Sequence, residues 1–270
     1  MHDNCSNCGN ALTENAAFCA SCGQKAHLHR LSWHDVVHDA VHYFTHADKG
    51  IFQLIKALLL KTGTVAKEFV AGKRKKYFPP LNFFLIVAAI YVLITSLNAK
   101  PVVIKDIRAA HPEIALIKDP VKQEKTYAIY SRAAKSGNFL SRNSNMIAIL
   151  ALPFTAFLFW LLYKRSGYNY VENLVANMYM SAFTLLVRVL IFIPLVNLFS
   201  IKMPYLELTV FFIFQLIYFT LFYYQFIGKI SMGAKVKAFF SALMVIGIWF
   251  ALSGFAIRIY ITNGFWGLMK

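Results

Sequence analysis

The chain is short of acidic side chains: 12 Asp and Glu stand against 28 Lys and Arg in 270 residues, a formal balance of +16. Charge of either sign is sparse, at 15% of residues, where ordinary globular domains carry about 25%. After residue 145 only two acids remain, Glu172 and Glu207, and no histidine. That half cannot supply paired carboxylates or a histidine general base. No Gly-rich phosphate loop occurs. With 13 Gly and 4 Cys, collagen-like and disulfide-framework architectures are excluded. The first thirty residues hold no apolar run, so no secretory signal peptide is expected.

What is abundant is apolar surface. Hydrophobic residues make up 58% and aromatics 16%, and the mean hydropathy is +0.53. A water-soluble protein of this size could not bury so much, and disorder is excluded by the same figures. The expected class is mainly α, a polytopic helical membrane bundle of about five transmembrane helices with a small N-terminal zinc ribbon. Three regions follow: the ribbon over 1–25, polar and amphipathic helices over 26–80, and a transmembrane domain over 81–270.

Cys5-Ser-Asn-Cys8-Gly9 and Cys19-Ala-Ser-Cys22-Gly23 are two C-x-x-C-G knuckles separated by ten residues. A C-x-x-C turn points two sulfurs at one metal, and four thiolates suit tetrahedral Zn2+. The trailing glycines let the backbone turn tightly, and Phe18 is a candidate apolar plug. A redox dithiol pair is the alternative, but such motifs sit in a βαβ context that this sequence lacks. A closed four-Cys site holds a fold together and leaves no position for substrate. Its thiols place the N-terminus in a reducing compartment, the cytoplasm.

A helix is expected from Ser32, whose spacing to Asp35 forms a capping box, to a stop at Gly50. His34, His38, His42 and His46 recur every four residues and stack along one face. Such spacing can chelate a second metal, respond to pH or simply form a polar face. No Glu follows the first His, so a metalloprotease base is missing. Residues 51–71 carry a helical apolar stripe interrupted by Lys56, Lys61, Lys67 and Glu68. Two amphipathic helices at the membrane surface fit this stripe best, with a helical hairpin packed beneath the bundle as the close competitor. Lys73, Arg74, Lys75 and Lys76 then form a basic cluster suited to anionic lipid headgroups and to holding this end on the cytoplasmic side. Aromatic residues are not interleaved as a stacking platform, which speaks against nucleic acid.

The run CSNCG, FCASCGQ, FTHADKG and AGKRKKYFPPLNFFL resembles an uncharacterised family of bacterial inner-membrane proteins, a domain of unknown function. Its marks are the double-CxxC ribbon and a GKRKxYxxP motif before the first transmembrane helix. The resemblance covers roughly residues 1–90 and rests on Cys5, Cys8, Cys19, Cys22, His46, Asp48, Gly50, Gly72, Lys73, Arg74, Tyr77 and Pro80. It implies architecture and a multi-pass inner-membrane location, and no activity.

Apolar runs of the length needed to span a bilayer, about 20 residues, fall near 81–97, 146–163, 174–193, 207–227 and 238–257. A polar loop, 98–144, separates the first two, with short helices around 120–135 and an outward-facing Lys122, Lys125, Arg132 and Lys135 set. The basic flanks put the N-terminus inside and the C-terminus outside. Arg188 lies within the third span, where a charge is costly, and an Arg188–Glu207 pair is expected. Three functions fit: a non-catalytic interaction, scaffold or sensing protein whose ribbon meets a protein partner; a transporter or channel using Arg188, Asn177 and Gln215; or a metal-dependent enzyme or sensor built on the His helix. The first is favoured, and an enzyme disfavoured, because the bundle is so poor in ionisable groups.

Overall fold

A computed structural model describes residues 4–13, 16–26, 30–36, 50–98, 107–198 and 204–263. Helices punctuated by proline, glycine and capping side chains make up most of it. They are α1 (Gly50–Lys61), α2 (Thr64–Val70), α3 (Pro80–Asn98), α4 (Ile107–Ala110), α5 (Pro120–Arg142), α6 (Ser144–Leu162), α7 (Tyr170–Val187), α8 (Ile193–Leu198), α9 (Pro204–Ile227) and α10 (Met232–Asn263). Among the described residues extended pairing is limited to two isolated bridges in the N-terminal segment. The protein is thus a mainly α helical bundle carrying a small cysteine cluster that fits a zinc ribbon.

Among the described residues four apolar helical stretches are long enough to cross a membrane: Arg74–Thr95, Tyr170–Val196, Leu206–Ile227 and Met232–Asn263. The remaining expected span coincides with α6, whose apolar stretch Ile149–Leu162 is shorter. The bundle has an apolar core, but it also buries polar side chains and exposes large apolar ones. Asn82, Asn173, Asn177, Thr184 and Ser241 are buried, while Leu93, Phe240, Phe250 and Phe255 are exposed. Apolar outer faces of this extent are stable against lipid and not against water.

The chain forms two compact units, residues 1–91 with 151–246, and residues 92–150 with 247–270. In the second, the stretch read as a polar loop contains one long helix, α5, instead of short pieces. Asp119 caps it by accepting the Val121 and Lys122 N–H groups, and Pro120 opens it, so the start signal outweighs the polar composition. Lys122, Lys125 and Lys135 are exposed as expected. Arg132 departs from that set and donates to the Thr262 carbonyl at 3.1 Å.

The first unit contains the core. Leu54, Leu58, Val65, Ala66 and Phe69 are all buried in it, so α1 and α2 pack into the bundle; the hairpin reading holds over the surface one. Phe159 stacks on Tyr223 at 3.7 Å and Phe183 on Tyr218 at 4.8 Å, zipping α6 and α7 to α9. Helix α7 carries a polar row, Asn169, Asn173, Asn177, Ser181 and Thr184. Asn177 Nδ2 donates to the Tyr223 hydroxyl at 2.6 Å, an interhelical bond of the kind that holds membrane helices together. Tyr179 donates to the Phe78 carbonyl at 2.7 Å. Backbone just before a Pro-Pro pair is prone to unpaired carbonyls, and an apolar interior needs such a group bonded.

Arg188 opens a π-helical turn, Arg188–Phe192, that joins α7 to α8. Pro194 explains it: the missing N–H and the ring's clash with the carbonyl four residues back push the chain into wider turns. Among the ion pairs of the described residues none joins Arg188 to Glu207, the pair expected from the sequence. The Arg188 guanidinium lies 4.9 Å from the Phe211 ring centroid, on the helix that carries Glu207. A cation placed over an aromatic face is attracted by the ring's electron-rich face.

The closest backbone approach is at Gly63. A Cβ there would stand 1.8 Å from the Phe222 carbonyl oxygen and 2.8 Å from the Phe226 nitrogen. Neither backbone atom can move without displacing α9. We therefore expect Gly63→Ala to abolish or severely reduce the folded fraction. Gly137→Ala, where a Cβ meets nothing within 4 Å, should be neutral or stabilising by about 1 kcal/mol. Monodispersity and thermal unfolding in detergent would show the contrast.

Candidate metal centre

Each knuckle is a tight loop closed by its own backbone. Cys5 N–H donates to Asn10 O at 2.8 Å and Gly9 N–H returns to Cys5 O at 2.8 Å. The second knuckle repeats the pattern fourteen residues on: Cys19 N–H to Gln24 O at 2.7 Å, and Gly23 N–H to Cys19 O at 2.9 Å. Gly9 and Gly23 have φ of 80° and 67°, a left-handed conformation that side chains resist. The glycines thus set the curl that turns both thiols of a pair inward. Bridges Asn4–Ala11 and Phe18–Lys25 close the loops. Phe18 itself is exposed, so it does not plug the ribbon; the buried groups are Cys5, Cys19 and Gln24.

The four sulfurs lie within 4.8 Å of one another. Cys5 and Cys22 are 3.7 Å apart, Cys8 and Cys19 3.6 Å, too far for a disulfide of about 2.05 Å. Tetrahedral zinc with Zn–S of about 2.3 Å would set its sulfurs about 3.8 Å apart, so the cluster fits such an ion. The thiols interact electrostatically as a set. The Gln24 backbone and the Asn7 side chain draw Cys22 down to about 6. At Cys8 a backbone bond from Asn10 works downward, but desolvation and the neighbouring thiols push it up to about 12.

The second knuckle is docked on the basic turn. Lys75 N–H donates to the buried Gln24 Oε1 at 3.1 Å, and Ser6 Oγ reaches the Gly72 carbonyl at 3.5 Å. That turn is itself tightly specified. Gly72, at φ 107°, ends α2 with Gly72 N–H on Phe69 O and Lys73 N–H on Glu68 O, a Schellman motif. Two of the four basic residues expected at lipid headgroups fold back on Glu68: Lys73 Nζ at 3.1 Å and Lys76 Nζ at 2.6 Å. Tyr77 OH adds a third bond at 2.6 Å. Burial works to raise the Glu68 carboxyl, but the bonds from Lys76, Tyr77 and Lys73 outweigh it and hold it at about 2.

A second clamp went unnoticed in the sequence. Asn169 and Glu172 form a capping box at the start of α7, with both bonds at 2.7 Å. Glu172, buried, also receives Arg30 in bidentate fashion, Nε to Oε1 at 2.9 Å and Nη2 to Oε2 at 2.8 Å. Arg30 reaches the Gly167 carbonyl as well, and Asn169 Nδ2 donates to Leu31 O at 3.2 Å. The N-x-x-E spacing was the available signal for the cap; nothing in the sequence linked it to Arg30.

Of the histidine row, His34 is exposed at the start of the helical turn Trp33–Val36, after the expected Ser32–Asp35 capping box. His38, His42 and His46 lie outside the described residues. Among the described residues the four cysteines form the only group able to gather around a metal.

These features define a class: a multi-pass helical membrane protein with a four-thiol centre docked on its bundle. Residues 48–92, the segment from α1 into α3, match the model of a family described as Protein of unknown function (DUF3667). No curated protein and no solved structure matches the chain.

The Glu68 carboxyl sits below its ordinary value, so its contribution to stability is complete above the unfolded value of 4.5 and is lost as pH falls toward about 2. Wild-type thermal stability should fall between pH 6 and pH 3 more steeply than that of Glu68→Gln, which lacks the titration. At α7, Glu172→Ala should cost about 2 kcal/mol, through lost cap and lost pair. In a double-mutant cycle, Arg30→Ala and Glu172→Ala should couple by about 1 kcal/mol in unfolding measurements.

Proposed function

We propose that the protein is a non-catalytic component of the bacterial inner membrane whose zinc-bearing cytoplasmic ribbon is coupled to the helical bundle for interaction, scaffolding or sensing. Its N-terminus lies in the cytoplasm and its C-terminus outside. The observation that carries this reading is the docking of the second knuckle on the turn before the first span, through Gln24 and Lys75. A closed four-thiolate site offers no coordination position for substrate, so zinc would act by setting the knuckles' shape. That shape presents Gln24 to the turn, and the turn leads directly into α3. Metal occupancy and the geometry of the membrane entrance are thereby linked.

Asn177, the in-span polar residue that a transport pathway would use, is engaged by Tyr223 inside the bundle, which supports a structural use of it. In this reading the basic cluster Lys73, Arg74, Lys75 and Lys76 also meets anionic headgroups, with Lys73 and Lys76 bonded to Glu68 as well. The ribbon's outer surface, including exposed Phe18, is the face open to a protein partner.

Metal analysis of the purified full-length chain tests the reading. One zinc per chain is expected, lost in Cys8→Ser/Cys22→Ser. Chelation should raise amide exchange at residues 72–76 while leaving α7 and α9 protected. Oxidised cysteines without metal would overturn the zinc assignment. Two or more metals, reduced by His38→Ala/His42→Ala, would favour a metal-dependent enzyme or sensor instead.

A further inference from the structure

The same end of the bundle holds a cavity of 240 Å³ that none of the roles above uses. It lies where the turn after α6 faces the turn between α9 and α10. Its wall carries three cations, Arg165, Lys229 and Lys237, and the hydroxyls of Ser166 and Ser231, and its lining contains no carboxylate. In a chain with few acids, like charges are seldom forced together without a counter-charge, since each raises the cost of its neighbours. Among the described residues no Asp or Glu forms an ion pair with any of the three.

All three cations are exposed at the cavity's rim, and one of them is held against its wall. Lys237 Nζ sits 4.6 Å from the Tyr163 ring centroid, and Tyr163 is buried in the core. Ser231 caps α10, its Oγ accepting from the Ala234 N–H at 3.1 Å. The first turn of a 32-residue helix therefore borders the cavity and adds its positive end to the three side chains. The walls are low-dielectric aromatic surface, Tyr163, Tyr223 and Tyr224, which strengthens any charge interaction inside. The volume falls below the usual range for drug-sized ligands, about 300–1,000 Å³, and suits a compact anion better than a nucleotide.

We propose that this cavity binds a phosphate group, presented either by the headgroup of an anionic phospholipid or by a small free phosphate. Arg165 and Lys229 close on the anion from the two turns, and Lys237 neutralises it from the aromatic wall. The site is independent of the zinc reading, because its lining includes no residue of the ribbon.

The test uses full-length protein and Arg165→Gln/Lys237→Gln, with Lys229→Gln as a second, milder variant. Lys122→Gln/Lys125→Gln, on the exposed face of α5, is the charge-matched control. Native mass spectrometry after release from nanodiscs containing phosphatidylglycerol, or phosphatidylcholine alone, reads the lipid arm. Thermal shift with inorganic phosphate in detergent reads the free-anion arm, with sulfate compared alongside. Retention of phosphatidylglycerol that drops on the order of tenfold in the cavity variants, and not in the control, supports a headgroup site. Saturable stabilisation by inorganic phosphate that the variants lose, without lipid retention, supports a free phosphate. Equal binding in variants and wild type, or no binding of either probe by a wild type with a normal melting transition, overturns the proposal.

Discussion

The carboxylate of Glu172 sits where three requirements meet. The first turn of α7 exposes backbone N–H groups beside an apolar interior, the N-terminal segment brings in the cation of Arg30, and the chain has almost no acid left to satisfy either. One side chain answers both demands: Asn169 and Glu172 cap each other's backbone while Arg30 grips the same carboxylate with two nitrogens. Negative charge at a helix N-terminus is favoured in any case. Because Arg30 follows the ribbon directly, this bond decides where the N-terminal third meets the bundle. Glu68 does the corresponding service on the other flank, gathering Lys73, Lys76 and Tyr77 so that the turn before the first span has a single shape.

Scarcity of acid also explains what is left unbalanced. Glu68 and Glu172 serve the turn and the clamp, and neither lines the cavity between the α6 and α9 turns, where the cations remain without a carboxylate. The thiol cluster is the complementary case: four potential negative charges concentrated in one small loop pair, suited to a doubly charged cation. Both arrangements draw on residues of the first unit.

Much of this was legible beforehand in particular residues. The two C-x-x-C-G knuckles announced a four-thiol cluster because sulfur pairs at that spacing must converge. Ser32 and Asp35 announced their capping box, and the apolar runs announced the spans, since lipid tolerates little else. Other features left only weak traces. Asp119-Pro120 was a helix start in a polar stretch, and it built the long α5 where only short helices were expected. The stripe over 51–71 had two readings, and only packing showed that Leu54, Leu58, Val65 and Phe69 face the core. For Arg188 the sequence suggested a carboxylate partner, and the contact that packing supplies is the ring of Phe211.

By itself, then, the sequence determined the membrane class, the cysteine cluster and the places of the long apolar runs. These depend on local quantities: hydropathy summed along a run and ligand spacing within a few residues. Only the tertiary structure decided that Arg30 reaches Glu172, that Gln24 docks on Lys75, that Gly63 lies against the backbone of α9, and that three cations share one cavity. Each of these joins residues far apart in the chain. No local pattern encodes such meetings, because they are set by how helices cross and by which charges the packing brings within reach.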